Sequence, residues 1–248
     1  MTPAIEVRGV TKTFQLPHQR RTTFKEHFLH PFDRTQYERQ VALRDVTFAV
    51  EQGEFFGIVG ANGSGKSTLL KIIAGIYRQD EGDVVVRGQL SPFIELGVGF
   101  NSELNARDNV RINGTLLGLS KRELGERFDE IIAFAELERF VDQKLKNYSS
   151  GMQVRLAFSI AIQVPFDVLL LDEVLAVGDA AFQEKCFDVF DDIRAAGKTV
   201  VFVSHDLGSV ARWCSRALWL EQGCVAQLGD AAEVIERYTP RAAVPSPG

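Results

Sequence analysis

The sequence predicts an α/β protein built on a mainly parallel sheet. Continuous apolar runs at 55–60, 167–173 and 199–206 have the length and residue types of strands that are buried on both faces. Helical patterns alternate with these runs, and they cover residues 67–77 and 179–197. Because helices that connect parallel strands pack on the faces of the sheet, this alternation favours an α/β fold.

The N-terminal and middle parts of the chain add three strands and a helical region. Strands are predicted at 4–10 and 41–50, where β-branched residues are frequent, and a shorter strand is predicted at 83–88. From Ala106 to about Val164 the apolar residues recur at helical spacing, and no convincing strand pattern interrupts them. We therefore expect a helical insertion between the early strands and the later buried strands.

The C-terminal part of the sequence predicts a hairpin and a short helix. Residues 217–223 and 224–230 have strand patterns separated by a turn, and the helix is expected to end at Tyr238. Residues 239–248 contain three prolines and are predicted to be a disordered tail.

Composition excludes several classes of protein. The 248 residues are 45% apolar and 25% charged, which is typical of globular domains, and the net charge of −5 argues against a protein that coats nucleic acid. The N-terminus lacks the features of a signal peptide, and no apolar run is long enough to cross a bilayer. The three widely spaced cysteines, Cys186, Cys214 and Cys224, are expected to be buried thiols in a reducing compartment. We therefore predict a cytoplasmic protein.

Residues 17–40 interrupt the predicted N-terminal strands. The segment contains three of the four histidines together with several arginines and phenylalanines. Two interpretations stay open: a solvated loop with one amphipathic turn, or a docking element for an anionic or membrane-associated partner. Metal binding by His18, His27 and His30 is disfavoured, because their spacing is irregular and no cysteine accompanies them.

A phosphate-binding loop follows the first buried strand. Residues 60–67, GANGSGKS, fit the pattern G-x-x-x-x-G-K-[ST] between a buried strand and a helix, which is the context that this motif requires. Glycines allow successive backbone N–H groups to surround a phosphate, and the helix N-terminus adds a partial positive charge. Lys66 is expected to reach the β- and γ-phosphates, and the Ser67 hydroxyl is expected to bind Mg²⁺. The predicted nucleotide contacts are Gly60, Ala61, Asn62, Gly63, Ser64, Gly65, Lys66, Ser67 and Thr68.

Polar residues at the ends of two later strands would complete a catalytic site. Asp172 is expected to hold Mg²⁺, and Glu173 is placed to polarise a water for attack on the γ-phosphate. His205, at the end of the next strand, could contact the γ-phosphate. An acidic pair after a strand is otherwise a helix cap and a lone histidine is usually structural, so these roles depend on the phosphate-binding loop. A GTPase is disfavoured because the guanine-binding pattern Asn-Lys-x-Asp is absent.

The stretch YSSGM, residues 148–152, lies where a helix is expected to begin. Serine at this position usually caps the helix by accepting a hydrogen bond from a free backbone N–H. A helix start with serine and glycine can instead bind an anion. The residues at issue are Ser149, Ser150 and Gly151.

The phosphate-binding loop, the serine-glycine stretch, LLLDE and VSHD occur in this order along the chain. Over residues 4–238 the sequence therefore resembles the ATP-binding subunit of an ABC transporter. The resemblance implies a P-loop ATPase fold with an N-terminal antiparallel β subdomain and an inserted helical subdomain at about 100–164. It also implies a head-to-tail homodimer, with ATP and Mg²⁺ as cofactors, in which Ser149, Ser150 and Gly151 face the γ-phosphate of the ATP that is bound by the partner.

Further site residues are implied by the same resemblance. Phe14 matches the aromatic residue that stacks on adenine, although the TKTF sequence also suits ordinary strand packing. Asp179 matches an aspartate at the dimer interface, and His205 matches the switch histidine. The usual glutamine that senses magnesium is missing from residues 91–100, where Glu95 is the nearest oxygen ligand; Gln89 lies too early.

Departures from the common ABC motifs indicate a subfamily. Four features resemble exporters of bacterial cell-surface polysaccharides: YSSGM in place of LSGGQ, the sequence after Glu173, the stretch ELGVGF and the 17–40 insertion. The resemblance implies a peripheral subunit at the cytoplasmic face of the inner membrane that drives a separate permease for a lipid-linked polymer. The carbohydrate-binding domain that some members carry at the C-terminus is expected to be absent.

Polysaccharide export has two alternatives. An ABC motor for a drug, peptide or lipid would have the same fold and chemistry. An ABC-type ATPase that acts on DNA or ribosomes would generally carry two cassettes or a long coiled-coil insertion, and the sequence shows neither. No nucleic-acid partner is therefore predicted.

Overall fold

The computed structural model describes residues 2–17, 37–93, 99–172, 180–204 and 206–242. In chain order its strands and α-helices are β1 (Ile5–Pro17), β2 (Tyr37–Val50), β3 (Phe55–Val59), α1 (Lys66–Ile73), β4 (Glu81–Val86), β5 (Leu90–Phe93), α2 (Ala106–Leu116), α3 (Lys121–Ala135), α4 (Ser150–Ala161), β6 (Val168–Asp172), α5 (Ala180–Ala195), β7 (Thr199–Val203), α6 (Leu207–Trp213), β8 (Arg216–Glu221), β9 (Cys224–Asp230) and α7 (Ala231–Ala242). A short 3₁₀ helix spans Leu145–Asn147.

The central sheet has the strand order β5-β6-β7-β3-β8-β9 and is parallel except for the β8–β9 hairpin. Successive residues of β6 enter different cores: Leu169 and Leu171 pack in one, and Val168 and Leu170 pack in the other. Burial on both faces explains why this strand reads as a continuous apolar run. The prediction of a mainly parallel core sheet is confirmed.

A three-stranded antiparallel sheet, in the order β2-β1-β4, forms the N-terminal subdomain. Its two long strands remain paired as far as Pro17 and Tyr37. Pro17 and residues 37–40, which the sequence assigned to the insertion, therefore belong to this sheet. The remainder of the insertion, residues 18–36, lies outside the described residues.

The region between β5 and β6 is helical, as predicted. Helices α2, α3 and α4 share a separate apolar core that includes Val110, Ile131, Leu156 and Ile160. Each of these helices begins with a side-chain cap: Asn105 for α2, Ser120 for α3 and Ser149 for α4. Among the described residues, no helix is long and apolar enough to cross a membrane.

Two predicted helix ends are wrong. Helix α1 ends at Ile73 rather than at 77, because Gly75 takes a positive φ of 72° and the Ile76 amide turns back to bond the Lys71 carbonyl at 2.8 Å. Glycine in the left-handed conformation is a common helix terminator. Helix α7 continues beyond Tyr238 to Ala242, so residues 239–242, which were predicted to be disordered, are helical. Residues 243–248 lie outside the described part of the chain.

Two further details differ from the sequence predictions. Strand β5, with the sequence LSPF, was not predicted; its proline is tolerated because β5 is an edge strand of the central sheet. Cys186 and Cys214 are buried, and burial raises the pKa of each thiol to about 12. Cys224 is partly exposed on β9, which corrects the expectation that all three thiols are buried.

Candidate functional site

Backbone hydrogen bonds, one within the loop and one from a neighbouring turn, hold the loop between β3 and α1 in shape. The Ser64 amide donates to the Ala61 carbonyl at 3.1 Å, and the Gly223 amide of the β8–β9 turn donates to the Ser64 carbonyl at 3.0 Å. Helix α1 has no side-chain cap, since the residue before it is Gly65. Its first N–H groups are therefore available to a ligand with negative charge.

Lys66 is buried within this loop, with an exposed fraction of 6%. Its ammonium group donates hydrogen bonds to the carbonyl oxygens of Gly60 at 2.7 Å and Ala61 at 3.0 Å. These contacts keep the cation against the loop whose backbone N–H groups would surround a phosphate. The arrangement suits a strongly negative ligand such as the β- and γ-phosphates of a nucleotide.

Close packing requires glycine at two positions of the loop. A Cβ atom on Gly60 would lie 2.3 Å from the Leu220 carbonyl oxygen, and one on Gly65 would lie 2.6 Å from the Ala42 carbonyl oxygen. Gly63 differs, because an added Cβ there would meet no heavy atom within 4 Å. The Ser64 hydroxyl is buried and has no hydrogen-bond partner among the described residues.

The comparison of Gly65 with Gly63 gives a testable prediction. Both residues have positive φ, 107° and 79°, so alanine strains the backbone at either position. Gly65→Ala adds a clash with a backbone oxygen, and we expect it to lower the free energy of unfolding by about 1–3 kcal/mol more than Gly63→Ala does. Thermal and denaturant unfolding of the two variants would measure the difference. Equal stability of the two variants would contradict this account.

A cavity of about 630 Å³ opens beside the loop and joins parts of the chain that are far apart in sequence. The sequence-predicted residues on its wall are Phe14, Asn62, Gly63, Gly65, Lys66, Ser67, Thr68 and Asp172. The volume is within the range of small-molecule and cofactor sites. Gly60, Ala61 and Ser64 are in the loop but are not part of this wall. Gly60 and Ser64 are buried behind it.

Phe14 occupies the end of the cavity that is formed by the antiparallel sheet. Its ring packs edge-on against Tyr77, with centroids 5.6 Å apart, and Lys12 Nζ lies 5.5 Å from its centroid. The ring is only partly buried, so it is both a packing residue and part of the cavity wall. Both interpretations of the TKTF sequence therefore agree with its position.

Sequence reasoning missed three residues of β2 that complete this wall, Gln40, Val41 and Ala42. The register pairs Phe14 with Gln40, and Thr13 with Val41. Val41 is 41% exposed, which is high for a valine in a strand. An exposed apolar residue beside Phe14 would have been a signal for a ligand surface, but only the strand pairing places the two residues together.

Ser67 and Asp172 are the described residues that could hold a divalent cation at this site. Ser67 is the second residue of α1, Asp172 is the last residue of β6, and both residues lie on the cavity wall. A hydroxyl and a carboxylate are the oxygen ligands that Mg²⁺ commonly takes beside nucleotide phosphates. The donor set therefore fits a magnesium nucleotide.

Ser149 caps helix α4. Its hydroxyl oxygen accepts a hydrogen bond from the Met152 amide at 3.2 Å, and its backbone is extended with φ −64° and ψ 161°. Ser149 and Ser150 are exposed, and Gly151 is partly exposed. The cap uses one of the first N–H groups of α4, and helix geometry leaves those of Ser150 and Gly151 without a partner inside the helix. Capping and binding of an external anion are therefore compatible at this helix start.

Four predicted site residues cannot be located, because Glu95, Glu173, Asp179 and His205 lie outside the described residues. Their roles remain predictions from the sequence. The structure does describe residues close to two of them in sequence. Asp172, which precedes Glu173, lies on the cavity wall, and β7, which ends at Val203 before His205, lies between β6 and β3 in the central sheet.

Fold and site together define a P-loop nucleotide-binding cassette with an inserted helical subdomain. Residues 43–176 match the family model described as ABC transporter. The chain belongs to the ABC transporter family, and the resemblance predicted from its motifs is confirmed.

Curated relatives agree with this assignment. The chain is 41% identical to the "O-antigen export system ATP-binding protein RfbB" of Klebsiella pneumoniae over 96% of this chain and 98% of that protein. It is 43% identical to the protein of the same name from Myxococcus xanthus, and 38% identical to the "Teichoic acids export ATP-binding protein TagH" of Bacillus anthracis. These matches cover 95% and 96% of this chain but only 55% and 43% of those two relatives.

Solved structures show the same fold. A structure described as the dimeric post-hydrolysis state of "the ATP-binding cassette MJ0796 bound to ADP and Pi" is 26% identical, with a TM-score of 0.73. That match covers 92% of this chain and 98% of the other. The predicted fold class, including the antiparallel and helical subdomains, is therefore confirmed.

Proposed function

We propose that this chain is the ATP-binding and ATP-hydrolysing subunit of an ABC exporter that moves a lipid-linked polysaccharide across the cytoplasmic membrane. The observation that carries the catalytic part is the single cavity that joins the phosphate-binding loop, Asp172 and Phe14. The names of the relatives, which are ATP-binding proteins of O-antigen and teichoic acid export systems, support the cargo.

In this proposal the ATP molecule extends along the cavity. Its adenine stacks on Phe14 and contacts Val41, and its phosphates lie against Lys66 and the N-terminus of α1. Ser67 and Asp172 would hold Mg²⁺, which would supply positive charge that stabilises the phosphates during hydrolysis. Among the residues that lack a described position, Glu173 orients the attacking water, His205 contacts the γ-phosphate and Glu95 is a further candidate oxygen ligand for the metal.

We further propose that two copies of the chain pair head to tail. Ser149, Ser150 and Gly151 of one copy then face the γ-phosphate of the ATP that is bound by the other, and Asp179 lies at the interface. The exposed, serine-capped start of α4 supports this arrangement, since its remaining N–H groups can bind an anion from outside the chain. The dimeric state of the related MJ0796 cassette is consistent with it.

The permease and the membrane location belong to the same proposal. The subunit would bind two copies of a membrane permease at the cytoplasmic face, and the lipid-linked polymer would contact the permease. Residues 18–36 connect the paired ends of β1 and β2, and their basic and aromatic sequence makes them a candidate docking element.

The experiment that tests this function combines a biochemical and a cellular measurement. The purified chain should hydrolyse ATP only with Mg²⁺, and it should co-purify with a membrane permease from the strain that produces it. Cells lacking the chain should retain lipid-linked polymer at the inner face of the membrane. Normal display of the polymer together with loss of export of a drug, peptide or lipid would reassign the cargo and leave the ATPase proposal standing.

A further inference from the structure

Glu136 ends helix α3 in a conformation that is unfavourable for a residue with a side chain. Its φ of 59° and ψ of 42° lie in the left-handed region. Helices that end in this way most often use glycine, because a Cβ atom crowds the backbone there. A glutamate at this position indicates that its side chain contributes an interaction that glycine would lack.

The carboxylate of Glu136 connects two other helices. One oxygen accepts a hydrogen bond from Arg155 Nη1 at 2.7 Å, and the other accepts a hydrogen bond from Lys185 Nζ. The Arg155 side chain is only 16% exposed, and its guanidinium carbon lies 5.0 Å from the centroid of the Phe182 ring. The hydrogen bond from Lys185 lowers the pKa of Glu136 from its ordinary value, so the group is ionised at neutral pH.

Two of the three helices that meet at Glu136 are linked to different parts of the proposed reaction. Arg155 lies on α4, one turn after Gly151, so it shares a helix with the residues that would contact the partner's ATP. Lys185 and Phe182 lie on α5, which begins directly after residues 173–179. That segment contains Glu173, which would act on the ATP of its own chain. The Glu136 bridge therefore joins the helix that begins with the proposed partner-facing stretch to the helix that follows the Glu173 segment in sequence.

We propose that Glu136 is a positioning residue for ATP hydrolysis, because its carboxylate fixes helix α4 relative to helix α5 through Arg155 and Lys185. The inference rests on the proposed function. Glu136 is not on the wall of the nucleotide cavity, so the bridge acts on turnover and not on the binding of ATP to the loop of the same chain. Glu136 and Lys185 are 44% and 41% exposed, and an exposed ion pair of this kind contributes little to folding stability.

Glu136→Gly is the variant that distinguishes a positioning role in turnover from an effect on folding stability. Glycine removes both ionic contacts, including the one to the mostly buried Arg155, and it also relieves the left-handed backbone; because the two effects oppose each other, the melting temperature should change little. A small misplacement of catalytic groups can slow a reaction considerably, and we expect kcat to fall about tenfold to 10²-fold. The affinity of the monomer for a fluorescent ATP analogue should not change.

Asp45→Gly is the matched control. Asp45 is another non-glycine residue with positive φ, 49°, and it is exposed on β2, outside the cavity wall and the bridge. This variant relieves the same kind of backbone strain without removing an ionic contact. We expect it to keep the turnover of the unchanged protein.

A second variant, Glu136→Gln, keeps the length of the side chain and loses its charge. Neutral hydrogen bonds are weaker than charge-assisted ones, so its kcat should be intermediate.

The measurements separate failure of this inference from failure of the proposed function. If the unchanged protein and Asp45→Gly hydrolyse ATP normally and Glu136→Gly does so too, the positioning role is overturned and the ATPase proposal stands. A loss of turnover that is matched by a lower melting temperature in both Glu136 variants would also overturn it, since a structural role would then suffice. If the unchanged protein does not hydrolyse ATP with Mg²⁺, the proposed function is wrong and the positioning role is wrong with it.

Discussion

Glu173→Gln is expected to bind ATP normally and to hydrolyse it about 10² to 10⁴ times more slowly than the unchanged protein. The substitution keeps the size of the side chain and removes the oxygen charge that would polarise the attacking water. It leaves the described wall of the cavity intact, including Lys66, Ser67 and Asp172. Single-turnover hydrolysis and equilibrium binding of ATP would measure the two effects separately.

The same variant should trap the dimer. Because ATP that is not hydrolysed would remain between two copies, it stabilises the dimer by mass action. Sedimentation of Glu173→Gln with ATP and Mg²⁺ should therefore show dimers, and the control Lys66→Ala should remain monomeric because its phosphate site lacks the cation. Dimers in neither protein, with ATP shown to be bound to Glu173→Gln, would argue against the sandwich arrangement.

The second large effect is expected in a mixed dimer that carries Lys66→Ala on one subunit and Ser149→Leu on the other. In the head-to-tail arrangement both defects fall in one composite site, and the other site has an intact loop and an intact helix start. The mixed dimer should therefore occlude one ATP, whereas either mutant homodimer should occlude almost none. Nucleotide that remains bound after rapid gel filtration would be counted per dimer.

Two controls distinguish this trans role of Ser149 from simple capping. Loss of a cap alone costs about 0.5–2 kcal/mol of stability. Ser120 caps α3 through the Glu123 amide at 3.3 Å and forms a capping box with Glu123, remote from the cavity wall. Ser120→Leu should therefore lose stability and keep normal occlusion of ATP. If the mixed dimer traps no more ATP than the two mutant homodimers, the assignment of Ser149 to the partner's site is wrong.

Local chemistry made several features of this protein predictable. The phosphate-binding loop needs only eight consecutive residues, and its glycines and lysine are recognised from their spacing alone. The buried strands were recognised because both faces of β6 and β7 enter apolar cores. The capping serine at 149 precedes a helical pattern by the expected spacing. Each of these signals is contained within about one element of the chain.

Other features depend on which elements become neighbours, and no short stretch contains that information. The sequence alone determined the P-loop, the order of buried strands and helices, and the family. Only the tertiary structure placed Val41 and Phe14 on one cavity wall, because their positions depend on the register of β1 with β2. In the same way, only packing of α3, α4 and α5 brought Glu136 against Arg155 and Lys185, which are 19 and 49 residues away in sequence. Backbone conformation and burial are local properties that leave a pattern in the residues, whereas a long-range contact forms between surfaces whose partners are chosen by the whole fold.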